Sequence, residues 1–130
     1  MATGAERVLL AEDEPGMLFL LEKLFLRRGY QILRATNGQE ALDIYRRHKD
    51  EIAVILLDMG LPKISGRDVL HQIRSENPDA KVIVTSGYIE PELKLEIERP
   101  NVKFLQKPYT PDSVFAALQS LAETPRSSST

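Results

Sequence analysis

Ala53-Val54-Ile55-Leu56-Leu57-Asp58-Met59-Gly60-Leu61-Pro62 is an unbroken apolar run that ends on an acid and a glycine- and proline-bearing turn. A strand with one wet face alternates apolar and polar residues, whereas an unbroken apolar run suits a strand buried on both faces. Strands of that kind belong to parallel sheets covered by helices on both sides. Working outward, four more short apolar runs appear at Val8-Leu10, Ile32-Leu33, Val82-Val84 and Val102-Leu105. Segments with helical spacing lie between and after them. Met17, Leu20, Leu21 and Leu24 follow the i, i+3, i+4, i+7 rule, as do Gly66, Val69, Leu70 and Ile73, and Val114, Ala117, Leu118 and Leu121; Ala41, Leu42 and Tyr45 make a shorter stripe.

Helix starts are marked too. Asn37 with Glu40 and Ser65 with Asp68 read as capping boxes, and Thr110 before Pro111 as a cap followed by a first-turn proline. The weakest helix spans Pro91 to Glu98, where only Leu93 and Ile97 form a stripe and Pro100 stops it. Strand and helix therefore alternate five times, which predicts an α/β fold with right-handed crossovers. The expected division is an N-terminal extension over 1–6, one domain over 7–122, and a serine-rich tail or linker over 123–130.

Composition narrows the function. Apolar residues make up 42% of the 130, enough for a core, and 17 basic against 19 acidic residues leave a net charge of −2. That balance argues against nucleic acid as a direct partner, since such binders carry a basic excess. The absence of cysteine excludes disulfides, thiolate metal sites and a cysteine nucleophile. No apolar run approaches the roughly 20 residues needed to cross a bilayer, and the first residues lack a secretion signal, so a cytoplasmic protein without membrane insertion is expected. His48 and His71 sit among polar residues on helices and read as surface groups.

The polar residues of interest fall at strand ends: Glu12 and Asp13 after the first, Asp58 after the third, Ser86 after the fourth and Lys107 after the fifth. Open parallel sheets bind ligands at the carboxyl ends of their strands, where the strand order reverses. Three carboxylates gathered there would repel, and a hard dication relieves that repulsion; magnesium takes oxygen ligands from one or two carboxylates and a phosphate. An ammonium such as Lys107 can pair with a carboxylate and then with a phosphoryl oxygen. Ser86 followed by Gly87 supplies a hydroxyl beside unobstructed backbone.

Ala11-Glu12-Asp13-Glu14, Asp58-Met59-Gly60-Leu61-Pro62, Gly66, Thr85-Ser86-Gly87-Tyr88 and Gln106-Lys107-Pro108-Tyr109 together resemble the ordered signature of two-component response-regulator receiver domains, over about Arg7 to Leu121. The resemblance implies a flavodoxin-like, doubly wound, five-stranded parallel sheet of order 2-1-3-4-5 with helices on both faces. It implies that Asp58 accepts a phosphoryl group. Mg2+ (or Mn2+) would be held by Asp13, Asp58 and the backbone carbonyl of Gly60, with Glu12 acting through a bound water. Ser86 would contact the phosphoryl group, Lys107 would form the ion pair, the Lys107-Pro108 bond would be cis, and Phe104 would occupy the aromatic switch position.

Departures from the family pattern are mild. Glu12 stands for the commoner aspartate, Ser86 for threonine, Leu61 for methionine, and Phe104 lacks the tyrosine hydroxyl. Thr85 precedes Ser86, and strand alternation lets only one of them face the site. The implied partners are a histidine kinase or phosphotransfer protein as donor and a downstream effector on the face of the fourth helix, fifth strand and fifth helix. The domain would be a monomer or a switch-face homodimer, standing alone or joined to a hybrid sensor kinase. Two other classes compete: a phosphorylation-independent docking module, and a Mg2+-dependent phosphatase. The latter is disfavoured because Gly60 stands where a second, general-acid aspartate is expected.

Overall fold

The computed structural model describes residues 6–123. The expected extension and tail lie outside the described residues, apart from Glu6 and Glu123. The elements are β1 (Arg7–Ala11), α1 (Pro15–Arg27), β2 (Gln31–Ala35), α2 (Gly38–His48), β3 (Ile52–Asp58), α3 (Gly66–Glu76), β4 (Val82–Ser86), α4 (Pro91–Ile97), β5 (Val102–Gln106) and α5 (Pro111–Ala122). All strands pair in parallel, in the order β2-β1-β3-β4-β5. The flavodoxin-like expectation therefore holds, and β1 and β3 are neighbours where the order reverses.

Strand alternation sorts the core into two layers. Leu9, Ala11, Ile55, Leu57, Val82 and Val84 face α2, α3 and the buried Ile97 of α4. Val8, Leu10, Val54, Leu56 and Ile83 face α1 and α5. The unbroken run in β3 supplies both layers, which is why it shows no period of two.

Most helix stripes are buried as expected, but α1 differs. Its buried residues are Leu18, Leu21, Leu24 and Phe25, while Leu20 is exposed. The run Met17 to Phe25 is apolar almost all round, so several helical phases fit the spacing, and the sheet selects the one that buries Phe25. Caps also depart in detail. Asn37 accepts from the Glu40 amide at 2.9 Å, but the Glu40 carboxylate reaches back to Thr36, taking its N–H at 2.7 Å and its hydroxyl at 3.0 Å. At α5, Thr110 and Ser113 form a full reciprocal box.

The expected weak helix is the shortest of the five, with seven residues. Its N-cap, Glu90, makes no side-chain capping bond. It is tied to α3 by Arg67 on Glu96 at 2.7 and 2.5 Å, by His71 on Glu96 at 3.1 Å, and by Arg74 donating to the Ile97 carbonyl at 3.0 Å.

Candidate phosphoacceptor and cation site

Alternation continues past the strand ends. Glu12, Asp58 and Thr85 follow Leu10, Leu56 and Ile83 by two residues, so their side chains take the α1/α5 side of the sheet. Asp58 pairs with Thr85 in the ladder, and the Glu12 amide still donates to Ala35 at 3.0 Å. These are the three buried polar side chains among the described residues, side by side at the carboxyl ends of β1, β3 and β4.

Oxygens of Glu12, Asp13 and Asp58 lie within 4.8 Å of one another, with Asp13 exposed and the other two buried. Lys107 closes the group: its Nζ is 3.3 Å from Glu12 Oε1 and 3.3 Å from Asp58 Oδ1. The Lys107-Pro108 bond is cis, as expected. Local structure orders the acids further. The Glu14 amide donates to Glu12 Oε2 at 3.0 Å, and the Glu14 side chain caps α1 on the amides of Met17 and Gly16. The Gly60 amide donates to Asp58 Oδ1 at 3.3 Å, which brings the Asp58–Gly60 turn against the carboxylate.

Ser86 stands apart from this group. Its hydroxyl donates to the Tyr88 carbonyl at 2.8 Å and accepts from the Tyr88 amide at 3.3 Å. Phe104 is half-buried against the layer on the α2–α4 side, in register with Val84. Sequence reasoning weighed Thr85 only as the rival of Ser86 and gave Tyr109 no role. Thr85 is wholly buried, and Tyr109 carries a buried hydroxyl.

Burial pushes the Glu12 carboxyl above its ordinary range; the Glu14 N–H pulls it down, Asp58 adds to the rise, and Lys107 opposes it. For Lys107 burial works against the ammonium, yet the charges of Asp58 and Glu12 outweigh it and hold the lysine above its usual value. The donor set is all oxygen, two of the three acids are withdrawn from water, and one cation cannot balance three carboxylates. A hard dication fits there, and the cluster is positioned for Mg2+.

A carboxyl that holds its proton more tightly yields it to a cation only at higher pH. Mg2+ affinity is therefore expected to fall on acidification while an ordinary solvated glutamate, near about 4.3, is still ionised. Calorimetric titration at stepped pH checks this, and an affinity flat down to that range would remove Glu12 from the cation site. In the metal-free protein the same shift favours the fold in acid. That contribution is present below the unfolded value and is lost as pH rises through the raised folded one.

Comparisons with known proteins agree with this geometry. The family model described as response regulator receiver domain matches residues 8–119. The chemotaxis protein CheY of Thermotoga maritima is 31% identical over 120 residues, covering 91% of this chain and 98% of its own. Sporulation initiation phosphotransferase F of Bacillus subtilis is 30% identical over 115 residues, covering 88% and 91%. The crystal structure of a CheX-CheY-BeF3-Mg2+ complex from Borrelia burgdorferi superposes with a TM-score of 0.84 at 26% identity, covering 92% of this chain and 90% of that one. With the matched segment running through the acidic cluster and the cis-prolyl lysine alike, the chain belongs to the response regulator receiver domain family.

Proposed function

We propose that this chain takes a phosphoryl group from a phosphohistidine onto Asp58 and uses the resulting acyl phosphate to change its α4-β5-α5 surface. The observation that carries the reading is the cluster of Glu12, Asp13, Asp58 and Lys107, gathered from the carboxyl ends of β1, β3 and β5. The magnesium and beryllium fluoride bound by the Borrelia relative, a tetrahedral stand-in for a phosphoryl group, support it.

In the reaction an Asp58 oxygen attacks the phosphorus in line, the P–O bond forms, the P–N bond to imidazole breaks, and the imidazole departs. Catalysis of this kind is mostly positioning and charge neutralisation. Asp13, Asp58 and the Gly60 carbonyl, with Glu12 in support, would hold Mg2+ (or Mn2+), and the ion would supply positive charge to the phosphoryl oxygens. Lys107 turns from the carboxylates to a phosphoryl oxygen. Ser86 leaves Tyr88 to donate its hydroxyl to another, and Phe104 follows by packing alone. A local change of charge biasing a two-state element is a known switching route.

The donor is a histidine kinase or a phosphotransfer protein, and the effector docks on the switch face. The domain works as a monomer or as a homodimer through that face. Among the described residues no helix is long and apolar enough to cross a membrane. Intact mass after incubation with phosphoramidate tests the reading. One added phosphoryl group is expected with Mg2+ and none after chelation; equal labelling in both, or none in either, would sink it.

A further inference from the structure

Two buried hydroxyls on the α1/α5 side of the sheet have no hydrogen-bond partner among the described residues. Thr85 Oγ1 belongs to a residue with no exposure that sits beside Asp58 in the β3–β4 ladder. Tyr109 OH comes two residues after Lys107, just past the cis-proline, on a ring packed against the α1/α5 layer. A buried hydroxyl without a partner costs stability, and native structures satisfy nearly all of them with protein or internal water. Glu12 Oε1 is in the same position: buried, without a well-aligned hydrogen bond, and held among the described residues by its ion pair with Lys107.

The phosphoacceptor reading sharpens the point. If Lys107 swings to a phosphoryl oxygen, Glu12 Oε1 loses that ion pair and the wholly buried carboxylate is left exposed to its neighbours' charge. We propose that Thr85 and Tyr109 are positioning residues. Through internal water they supply the hydrogen bonds that keep the buried Glu12 and Asp58 carboxylates oriented when Lys107 transfers to the phosphoryl group. Thr85 lies next to Asp58, and Glu12 and Asp58 both pair with Lys107, two residues before the buried Tyr109 hydroxyl. Burial and then those two charges hold its proton far above the ordinary tyrosine range, so it stays a donor throughout.

Because the inference rests on the phosphoacceptor reading, its test separates the two. Thr85→Val and Tyr109→Phe delete one hydroxyl each with little change of shape, and Thr85→Ser restores the first. In the metal-free protein both deletions are expected to lower Tm by about 3–6 °C, with recovery in Thr85→Ser. A hydroxyl with no partner at all would give the opposite sign, and a Thr85→Val protein more stable than wild type overturns the proposal. With phosphoramidate and Mg2+, the maximal labelling rate of each deletion variant is expected to drop about tenfold while the half-saturating donor concentration stays put. Lower Tm with an unchanged maximal rate makes the hydroxyls merely structural and also overturns it. Wild type that labels normally beside variants that do the same defeats this inference alone. Wild type that never labels defeats the reading beneath it.

Discussion

Asp58→Asn is expected to abolish labelling by phosphoramidate or acetyl phosphate and leave the fold standing. The amide keeps an oxygen where Oδ1 now accepts from the Gly60 amide at 3.3 Å, so the turn after β3 retains its anchor. It has no charged oxygen with which to attack phosphorus. Lys107 loses one of two partners but keeps Glu12 at 3.3 Å, and its side chain is 28% exposed, so no isolated buried charge results. Removing one of three clustered carboxylates should also weaken Mg2+ by about tenfold or more, the size of one hydrogen-bonded or charged contact. Intact mass and calorimetry read both effects. Full labelling in this variant would place the acceptor elsewhere.

Gly66→Ala is expected to produce the largest loss of stability of any single methyl addition near the site. A Cβ built on Gly66 runs into the Asp58 carbonyl oxygen and comes within 2.6 Å of Met59 Cα and 2.9 Å of the Asp58 carbonyl carbon. All three are backbone atoms, and the Gly66 amide is itself bonded to the Met59 carbonyl at 3.1 Å, so no flexible side chain can give way. Overpacking in a tight interior costs about 1–3 kcal/mol, and rigid backbone puts this case at about 3 kcal/mol. The strain falls on Asp58 and Met59, so labelling should slow as well. Urea unfolding with and without Mg2+ checks it. Stability within about 0.5 kcal/mol of wild type would mean the start of α3 shifts freely away from β3.

The sheet was legible because the run from Ala53 to Leu57 has no polar interruption, and only a strand covered on both sides tolerates that. The acids were legible because an acid directly after such a run has to sit at the strand's carboxyl end. The phase of α1 was not: leucine or phenylalanine occupies every position from Leu18 to Leu21, and packing alone decides that Leu20 stays out while Phe25 goes in. The Thr85–Ser86 pair shows another limit. Sequence places two hydroxyls at the end of β4, but the register with Asp58 assigns the buried place to Thr85 and leaves Ser86 on Tyr88. Tyr109 enters the sequence reading only as part of the lysine-proline motif, and nothing in its spacing announces that its oxygen ends buried. The close approach of Gly38 to the Ile64 backbone joins residues 26 apart along the chain, beyond the reach of any local pattern.

The capless, seven-residue α4 is fastened to its neighbour chiefly by charges at the protein's rim, with Ile97 its one deeply buried side chain. Dissolved ions compete with contacts of that sort far more effectively than they compete with packed hydrocarbon. One panel of the molecule's covering thus hangs on a latch that brine loosens, while every other panel is glued. The shape of this edge therefore depends on the ionic composition of the medium, and a salt series would move it before it moves the packed helices.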